Sequence, residues 1–217
     1  LYVGGSFGRV GTTGVANLVA LDTATCALVP TSSFRRPAVN GVVRAISATP
    51  DRVYFAGEFG QVDGQTRGRF AVVTSAGALT AATATFNTTV RALIAAPEVG
   101  KVVVGGDFAT VNGVANRGLV SLSPDTGAIV QSYPGWIPNN SVVHVLTRDG
   151  DRFYVGAEGT GTGVFDGRIG GVLSTGEMVW KDLCLGATQA LAARDGVLYS
   201  GHHTGARAAY VAELESL

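Results

Sequence analysis

Leu1-Tyr2-Val3-Gly4-Gly5 returns along the chain as Val53-Tyr54-Phe55-Ala56-Gly57, Val102-Val103-Val104-Gly105-Gly106, Phe153-Tyr154-Val155-Gly156-Ala157 and Leu198-Tyr199-Ser200-Gly201-His202. The starts are 52, 49, 51 and 45 residues apart. Chance does not hold such a register over 217 residues. The phrase therefore marks internal repeats, with units starting near 1, 53, 102, 153 and 198 of a single domain spanning 1–217.

The residues after each phrase repeat as well. A polar residue and Phe come next in three units, as Ser6-Phe7, Glu58-Phe59 and Asp107-Phe108. After a Gly-bearing turn such as Val111-Asn112-Gly113 there is a second apolar run, Leu18-Val19-Ala20-Leu21, Phe70-Ala71-Val72-Val73 or Leu119-Val120-Ser121-Leu122. Tight-turn signals come after it, among them Ser75-Ala76-Gly77 and Asp125-Thr126-Gly127, and lead into a third short strand. A further run closes the period: Val42-Val43-Arg44-Ala45-Ile46, Val90-Arg91-Ala92-Leu93-Ile94, Val142-Val143-His144-Val145-Leu146 or Gln189-Ala190-Leu191-Ala192-Ala193. Four short runs of β-favouring residues per period of about 50, with no sustained helical period, are the pattern of a propeller blade. One blade cannot bury both faces alone, whereas neighbours stacked around an axis bury them for one another.

The fold class expected is all-β, a β-propeller of about five four-stranded repeats. The first unit lacks its inner strand and the last its outer one. Two forms satisfy that count: an arc of a larger propeller, which would expose an apolar face and self-associate, or a small five-bladed ring with incomplete terminal blades. The stretch Tyr210-Val211-Ala212-Glu213-Leu214 also reads as strand. The small pair ending each phrase is expected to let backbones approach or to let a strand bulge. Tyr2, Tyr54, Tyr154 and Tyr199 are expected to pack between blades.

The phrase Leu-Tyr-Val-Gly-Gly-x-Phe, its Gly turn and the later Leu-x-x-Leu-Asp-x-x-Thr-Gly resemble the delta-60 repeat, a bacterial β-propeller repeat of unknown function. The third unit, from Val104 through Val111-Asn112-Gly113 to Asp125-Thr126-Gly127, matches it best. The fourth loses the Phe, and the fifth reads Gly201-His202-His203-Thr204. The resemblance implies a secreted or surface location, extracellular or on the cell surface, and carries over no catalytic residue.

Composition limits the functional classes. The chain has 31 Gly, 46% apolar and 15% charged residues, with 16 basic residues balancing 16 acidic ones. A zero formal net charge argues against a nucleic-acid partner, and no apolar run is long enough for a membrane-spanning helix. Cys26 stands where the third unit has the turn residue Gly127, and Cys184 precedes the last inner run. A bridge between them and free thiols both stay open.

The residues just after the glycines, Glu58, Asp107, Glu158 and, in the last unit, His202 and His203, are expected on one face. Converging carboxylates there could serve acid–base chemistry. The bland alternative is structural acids paired with Arg67, Arg69, Arg117 or Arg168. His144, on an inner run, could face the central channel. Adjacent histidines on a strand point to opposite faces, so His202 and His203 cannot both hold one ion. Weaker metal combinations are His144 with one of that pair, and Asp107 with Asn112, whose spacing matches no calcium loop. No metal, cofactor or catalytic residue is assigned. Trp136, in Tyr133-Pro134-Gly135-Trp136-Ile137-Pro138, is a candidate stacking surface for a ligand or else a plug between blades, as is Trp180. The function expected is a non-catalytic propeller module that presents loops to a protein or glycan partner through Trp136, Glu58, Asp107, Glu158 and His203. The rival is a polysaccharide hydrolase or lyase with its site at the axis.

Overall fold

A computed structural model of the protein describes residues 1–183 and 186–203 and the backbone of the strand at 215–216. The stretch Tyr210–Leu214 and the Cys184 thiol lie outside the described residues. Cys26 is an exposed free thiol.

The repeats become sheets in chain order. The first holds β1 (Tyr2–Gly4), a small hairpin of β2 (Arg9–Val10) and β3 (Thr13–Gly14), and β4 (Leu18–Ala20), with a bridge from Leu21 to Leu28 continuing outward. The second holds β5 (Val42–Ala48), β6 (Arg52–Glu58), the hairpin β7 (Gln61–Val62) and β8 (Gln65–Thr66), β9 (Arg69–Thr74) and β10 (Leu79–Thr85). Its order is β5-β6-β9-β10, antiparallel throughout.

The third sheet repeats that order with β11 (Val90–Ala96), β12 (Lys101–Gly106), β15 (Leu119–Leu122) and β16 (Ile129–Ser132), β13 (Thr110–Val111) and β14 (Val114–Ala115) forming its hairpin. A single 3-10 turn, Pro97–Val99, joins β11 to β12. The fourth runs β17 (Ser141–Asp149), β18 (Arg152–Gly159), β19 (Gly167–Val172) and β20 (Met178–Asp182). The fifth has β21 (Ala187–Arg194), β22 (Val197–His203) and β23 (Glu215–Ser216).

The innermost strands present pack in sequence: β1, the phrase strand of the first sheet, which has no strand inside it, against β5, then β5 against β11, β11 against β17 and β17 against β21. The apolar core is divided accordingly. One cluster joins Leu18, Ala20 and Phe34 to Val53, Phe55 and Val73 of the second sheet. A second joins Tyr54, Phe70 and Ala84 to Val102, Val104 and Val120 of the third, and a third joins Val103, Tyr133 and Trp136 to Phe153, Val155 and Ile169 of the fourth. Each core lies between successive sheets, which is the packing of a β-propeller. The tyrosines behave as expected wherever a following sheet covers them. Tyr54 and Tyr154 are 1% exposed, whereas Tyr199 on the fifth sheet is 46% exposed.

A polar clasp repeats at each of these interfaces. The turn between the third and fourth strands of one sheet meets the outer strand of the sheet before it or, at the first interface, the segment that joins the two sheets. Arg35 N–H donates to Ala76 O at 2.8 Å, Thr83 N–H to Thr126 O at 3.2 Å, and Gln131 Nε2 to Thr175 O at 3.0 Å. Gly77 and Gly127 sit in these turns at φ +82° and +77°. A Cβ there would lie 2.1 Å from Arg35 O or Thr83 O, so only glycine allows the approach. At the fourth sheet the buried Lys101 ammonium reinforces the clasp, donating to Leu173 O at 2.7 Å, Ser174 O at 2.9 Å and Gln131 Oε1 at 2.6 Å.

A candidate ligand-binding mouth at the axis

The phrase glycines place a set of polar side chains at one end of the inner strands. Every inner strand from β5 onward carries a bulge, between Val43 and Ala45, Val90 and Ala92, Val143 and Val145, and Thr188 and Ala190. The extra residues are Arg44, Arg91, His144 and Gln189. A bulge leaves one residue unpaired and re-aims its side chain. Gly57 and Gly106 make room for it. A Cβ on Gly57 would fall 2.1 Å from Val42 O and 2.9 Å from Arg44 N, and one on Gly106 would fall 2.4 Å from Thr89 O. Gly105 serves the neighbouring blade, since its Cβ would fall 2.4 Å from a methyl of Val143 on the next inner strand.

The residues after the glycines meet these bulges. Arg44 Nε donates to Glu58 Oε1 at 2.7 Å. Arg91 forks onto Asp107, its Nε on Oδ1 and its Nη2 on Oδ2, the latter at 2.9 Å. His144 Nε2 lies 3.2 Å from Glu158 Oε2. Neighbouring blades tie the pairs into a series, with Thr89 Oγ1 donating to Glu58 at 3.3 Å and Gln189 Nε2 to Glu158 at 3.4 Å. His203 occupies the same register in the fifth blade, opposite Ala187 as Glu58 is opposite Val42, and is exposed. The hydrogen bond from Arg44 holds the Glu58 carboxyl below the usual carboxylate range. The hydrogen bonds to Asp107 above all raise Arg91, with the charges of Asp107, Glu158 and Glu58 adding through space.

Arg44, Arg91 and His144 together line an open cavity of about 350 Å³ whose remaining walls are Gly5, Val42 and Val43. The paired acids occupy one edge of each base. Among the described residues, no hydrogen bond engages Arg44 Nη1 and Nη2, Arg91 Nη1, Glu58 Oε2 or Glu158 Oε1. Arg44, Arg91 and His144 thus face one cavity, each with an acid held at another edge of its side chain.

Several expectations need correction. The acids are paired, but not with Arg67, Arg69, Arg117 or Arg168. Arg67 donates to Thr66 O and Thr80 O, Arg69 to Phe86 O, and the fully buried Arg168 to Ser200 Oγ and Asp182. Arg117 lines a separate cleft beside Tyr133. Those arginines lie at the hairpins and third strands, away from the bulges that face the acids.

Trp136 is only 7% exposed. Its ring stacks on Phe153 at 5.8 Å and tilts against Tyr133 at 4.8 Å, which makes it a plug between the third and fourth sheets with no free face for a ligand. Trp180 stacks on Tyr154 at 6.1 Å.

The two adjacent histidines do point to opposite faces. His202 is buried between Ser200 Oγ, 2.8 Å from its Nε2, and Thr188 Oγ1, 3.2 Å from its Nδ1. Asn112 spends its carbonyl on Thr85 N–H and its amide on Gly127 O. Among the described residues no group of three or more His, Cys, Asp or Glu is placed to hold a metal ion.

The bulge residues Arg44, Arg91 and Gln189 were not singled out from the sequence. Their signal is a polar residue in the same column of otherwise apolar inner runs.

No protein-family model and no curated protein matches the chain. Among solved structures it is similar to "The crystal structure of BamB from Moraxella catarrhalis", at 11% identity over 74% of this chain and 80% of that one, with a TM-score of 0.26. So distant a likeness bears on neither ligand nor partner. The propeller assignment stands on the five successive sheets and the cores between them.

Proposed function

We propose that the chain is a non-catalytic propeller binding module of a secreted or surface protein, whose ligand-contacting site is the axial mouth of Arg44, Arg91 and His144. The observation that carries this is the repeated bulge. Three consecutive blades each spend a ladder position to aim a polar side chain into one cavity, and each side chain is oriented by an acid from the next strand. Such orientation by a second group is how binding sites are held ready for a ligand.

The same pairs weigh against the hydrolase alternative. A general acid acting on a glycosidic bond needs a carboxyl raised toward neutrality, whereas Glu58 is lowered by Arg44. The acids also recur at one repeat position instead of forming a unique pair.

The test is binding of the intact chain, and of an Arg44→Ala/Arg91→Ala double variant with an unchanged melting temperature, to immobilised oligosaccharide and peptide panels. Ligands held by the parent and lost by the double variant support the axial mouth. Ligands retained by both place the contact elsewhere, and release of reducing ends from a polysaccharide overturns the non-catalytic assignment.

A further inference from the structure

We infer that the open edge of β2 in the first sheet binds a partner polypeptide by strand addition, taking an extended stretch of three residues: one of any kind, one apolar, then Asn. This site shares no residue with the axial mouth and goes beyond it.

The structure holds two occupied copies of the same edge. The hairpins β2–β3, β7–β8 and β13–β14 have one length and one register, with Val10 opposite Thr13, Val62 opposite Gln65 and Val111 opposite Val114. Each is extended by the same further bond, from Val15 N–H to Gly8 O at 3.1 Å, from Arg67 N–H to Gly60 O at 2.8 Å and from Asn116 N–H to Ala109 O at 3.0 Å. The outer edges of β7 and β13 are covered by the segment that joins their sheet to the one before. Val39 bridges Val62 and Phe86 bridges Val111, both antiparallel.

The bonds along these two edges are alike. Asn40 Oδ1 accepts from Gly60 N–H and Gln61 N–H, both at 2.9 Å, and Asn87 Oδ1 accepts from Ala109 N–H at 2.9 Å and Thr110 N–H at 3.0 Å. Asn40 N–H donates to Gln61 O at 3.1 Å, and Asn87 N–H to Thr110 O at 3.3 Å. At the other end Asp63 N–H donates to Ala38 O at 2.9 Å and Asn112 N–H to Thr85 O at 2.8 Å. The apolar residue between is covered. Phe86 meets Phe108 edge-on at 4.8 Å, and Val39 joins Phe59 and Val62 in one cluster.

The edge of β2 presents the same groups without an occupant. The counterparts are Gly8 N–H, Arg9 N–H, Arg9 O and Gly11 N–H, and none has a hydrogen-bond partner among the described residues. The apolar counterparts, Phe7 and Val10, are half-buried, whereas Phe59, Phe108, Val62 and Val111 are at most 2% exposed. An unpaired row of backbone groups beside a partly open apolar slot is a template for strand addition, in which main-chain bonds supply affinity and side chains supply selectivity. Both internal occupants place Asn after the apolar residue, where one short side-chain oxygen accepts from two successive N–H groups.

One difference sets this edge apart. Asp63 and Asn112 also accept from the first residue of their occupants, Ala38 N–H and Thr85 N–H, at 2.8 Å. Gly11 holds that place after β2 and has no side chain to do so. A proline in the first position of the bound stretch therefore costs no hydrogen bond here.

The experiment follows backbone amides of the intact chain while capped peptides are added in turn: Ala-Thr-Phe-Asn-Thr, which is the sequence of residues 84–88, and its versions Ala-Pro-Phe-Asn-Thr, Ala-Thr-Phe-Ala-Thr and Ala-Thr-Ser-Asn-Thr. The first is expected to shift Gly8, Arg9 and Gly11 saturably and to slow their hydrogen exchange, with a dissociation constant on the order of 1 mM. The proline version is expected to bind as well as the first. Loss of the Asn or of the Phe is expected to weaken binding about tenfold or more. Arg9→Pro removes the outward N–H and keeps the hairpin's own bonds, so it is expected to abolish the shifts at an unchanged melting temperature. The shifts are expected to persist in Arg44→Ala/Arg91→Ala, which separates this site from the axial mouth.

The absence of saturable shifts at Gly8, Arg9 and Gly11 with every peptide overturns the inference, as does equal binding of the version that lacks Asn. Protection of these amides that rises with protein concentration in the absence of peptide assigns the edge to a second copy of the chain and overturns the partner polypeptide.

Discussion

Replacing Gly77 by alanine tests the clasp between the first and second sheets. The residue sits at φ +82°, where a Cβ costs about 1–2 kcal/mol against the backbone alone. That Cβ would also lie 2.1 Å from Arg35 O and 2.9 Å from its carbonyl carbon and nitrogen. All three are main-chain atoms of the segment that joins the first sheet to the second, and none can rotate aside. Relief requires the turn and the segment at Arg35 to part, which breaks the Arg35 N–H to Ala76 O hydrogen bond, worth about 1 kcal/mol, and loosens the contact of the neighbouring Phe34 with the core beneath it. The sum is about 3 kcal/mol, a fall of about 10 °C in melting temperature for a chain of this size.

Gly100→Ala is the control. Gly100 has φ +69°, but nothing lies within 4 Å of its would-be Cβ, so only the strain applies. Calorimetric melting should place Gly77→Ala about 2 kcal/mol below Gly100→Ala, and the Arg35 amide should exchange faster in the former only. Equal melting temperatures would refute the clasp. The first sheet offers a natural comparison: its equivalent turn residue is Cys26 at φ +57°, with an exposed side chain.

Trp136→Ala empties the seam between the third and fourth sheets and should cost about 3–5 kcal/mol by denaturant titration, since Phe153 and Tyr133 each lose one ring partner and keep only one another. Tyr154→Ala should cost about 3 kcal/mol where Tyr199→Ala costs under about 1, because the first ring is covered by the next sheet and the second is 46% exposed. Glu58 is held below its ordinary value of 4.5, so the folded state binds fewer protons than the unfolded one around that pH. Its contribution is present above about pH 4.5 and fades as the pH falls through the lowered value, and Glu58→Gln should flatten the acid limb of a melting-temperature profile relative to the parent.

The fold was legible because a propeller writes its period into the chain. A strand that must be buried on both faces reads as Val102-Val103-Val104, and its punctuation falls at fixed offsets. The position of Glu58, Asp107, Glu158 and His203 on one face came from that period. Their partners did not. A bulge adds a residue that belongs to neither face, so alternation says nothing about where Arg44 or Arg91 points. It takes the register, with Gly57 opposite the bulge, to aim them. Arg67, Arg69, Arg117 and Arg168 stood as candidate partners because the sequence does not show which arginines the bulges turn toward the acids. Trp136 stayed open between a ligand platform and a plug for a related reason. Its Pro-Gly flanks read as an exposed loop, yet the loop folds inward and closes a seam between two sheets that lie side by side only in three dimensions.

The central claim is that inner strands from successive repeats stand side by side and bring their bulge residues together at one end of the axis. A single nitroxide at position 91, introduced as Arg91→Cys with Cys26→Ser and Cys184→Ser, measures this directly through relaxation of backbone amides. Strong broadening is predicted at Arg44, Glu58, His144 and Glu158, with outer-strand amides such as Ala82 and Val130 left sharp. Broadening confined to residues near 91 in sequence and on its own sheet, with 44 and 144 unaffected, would contradict it.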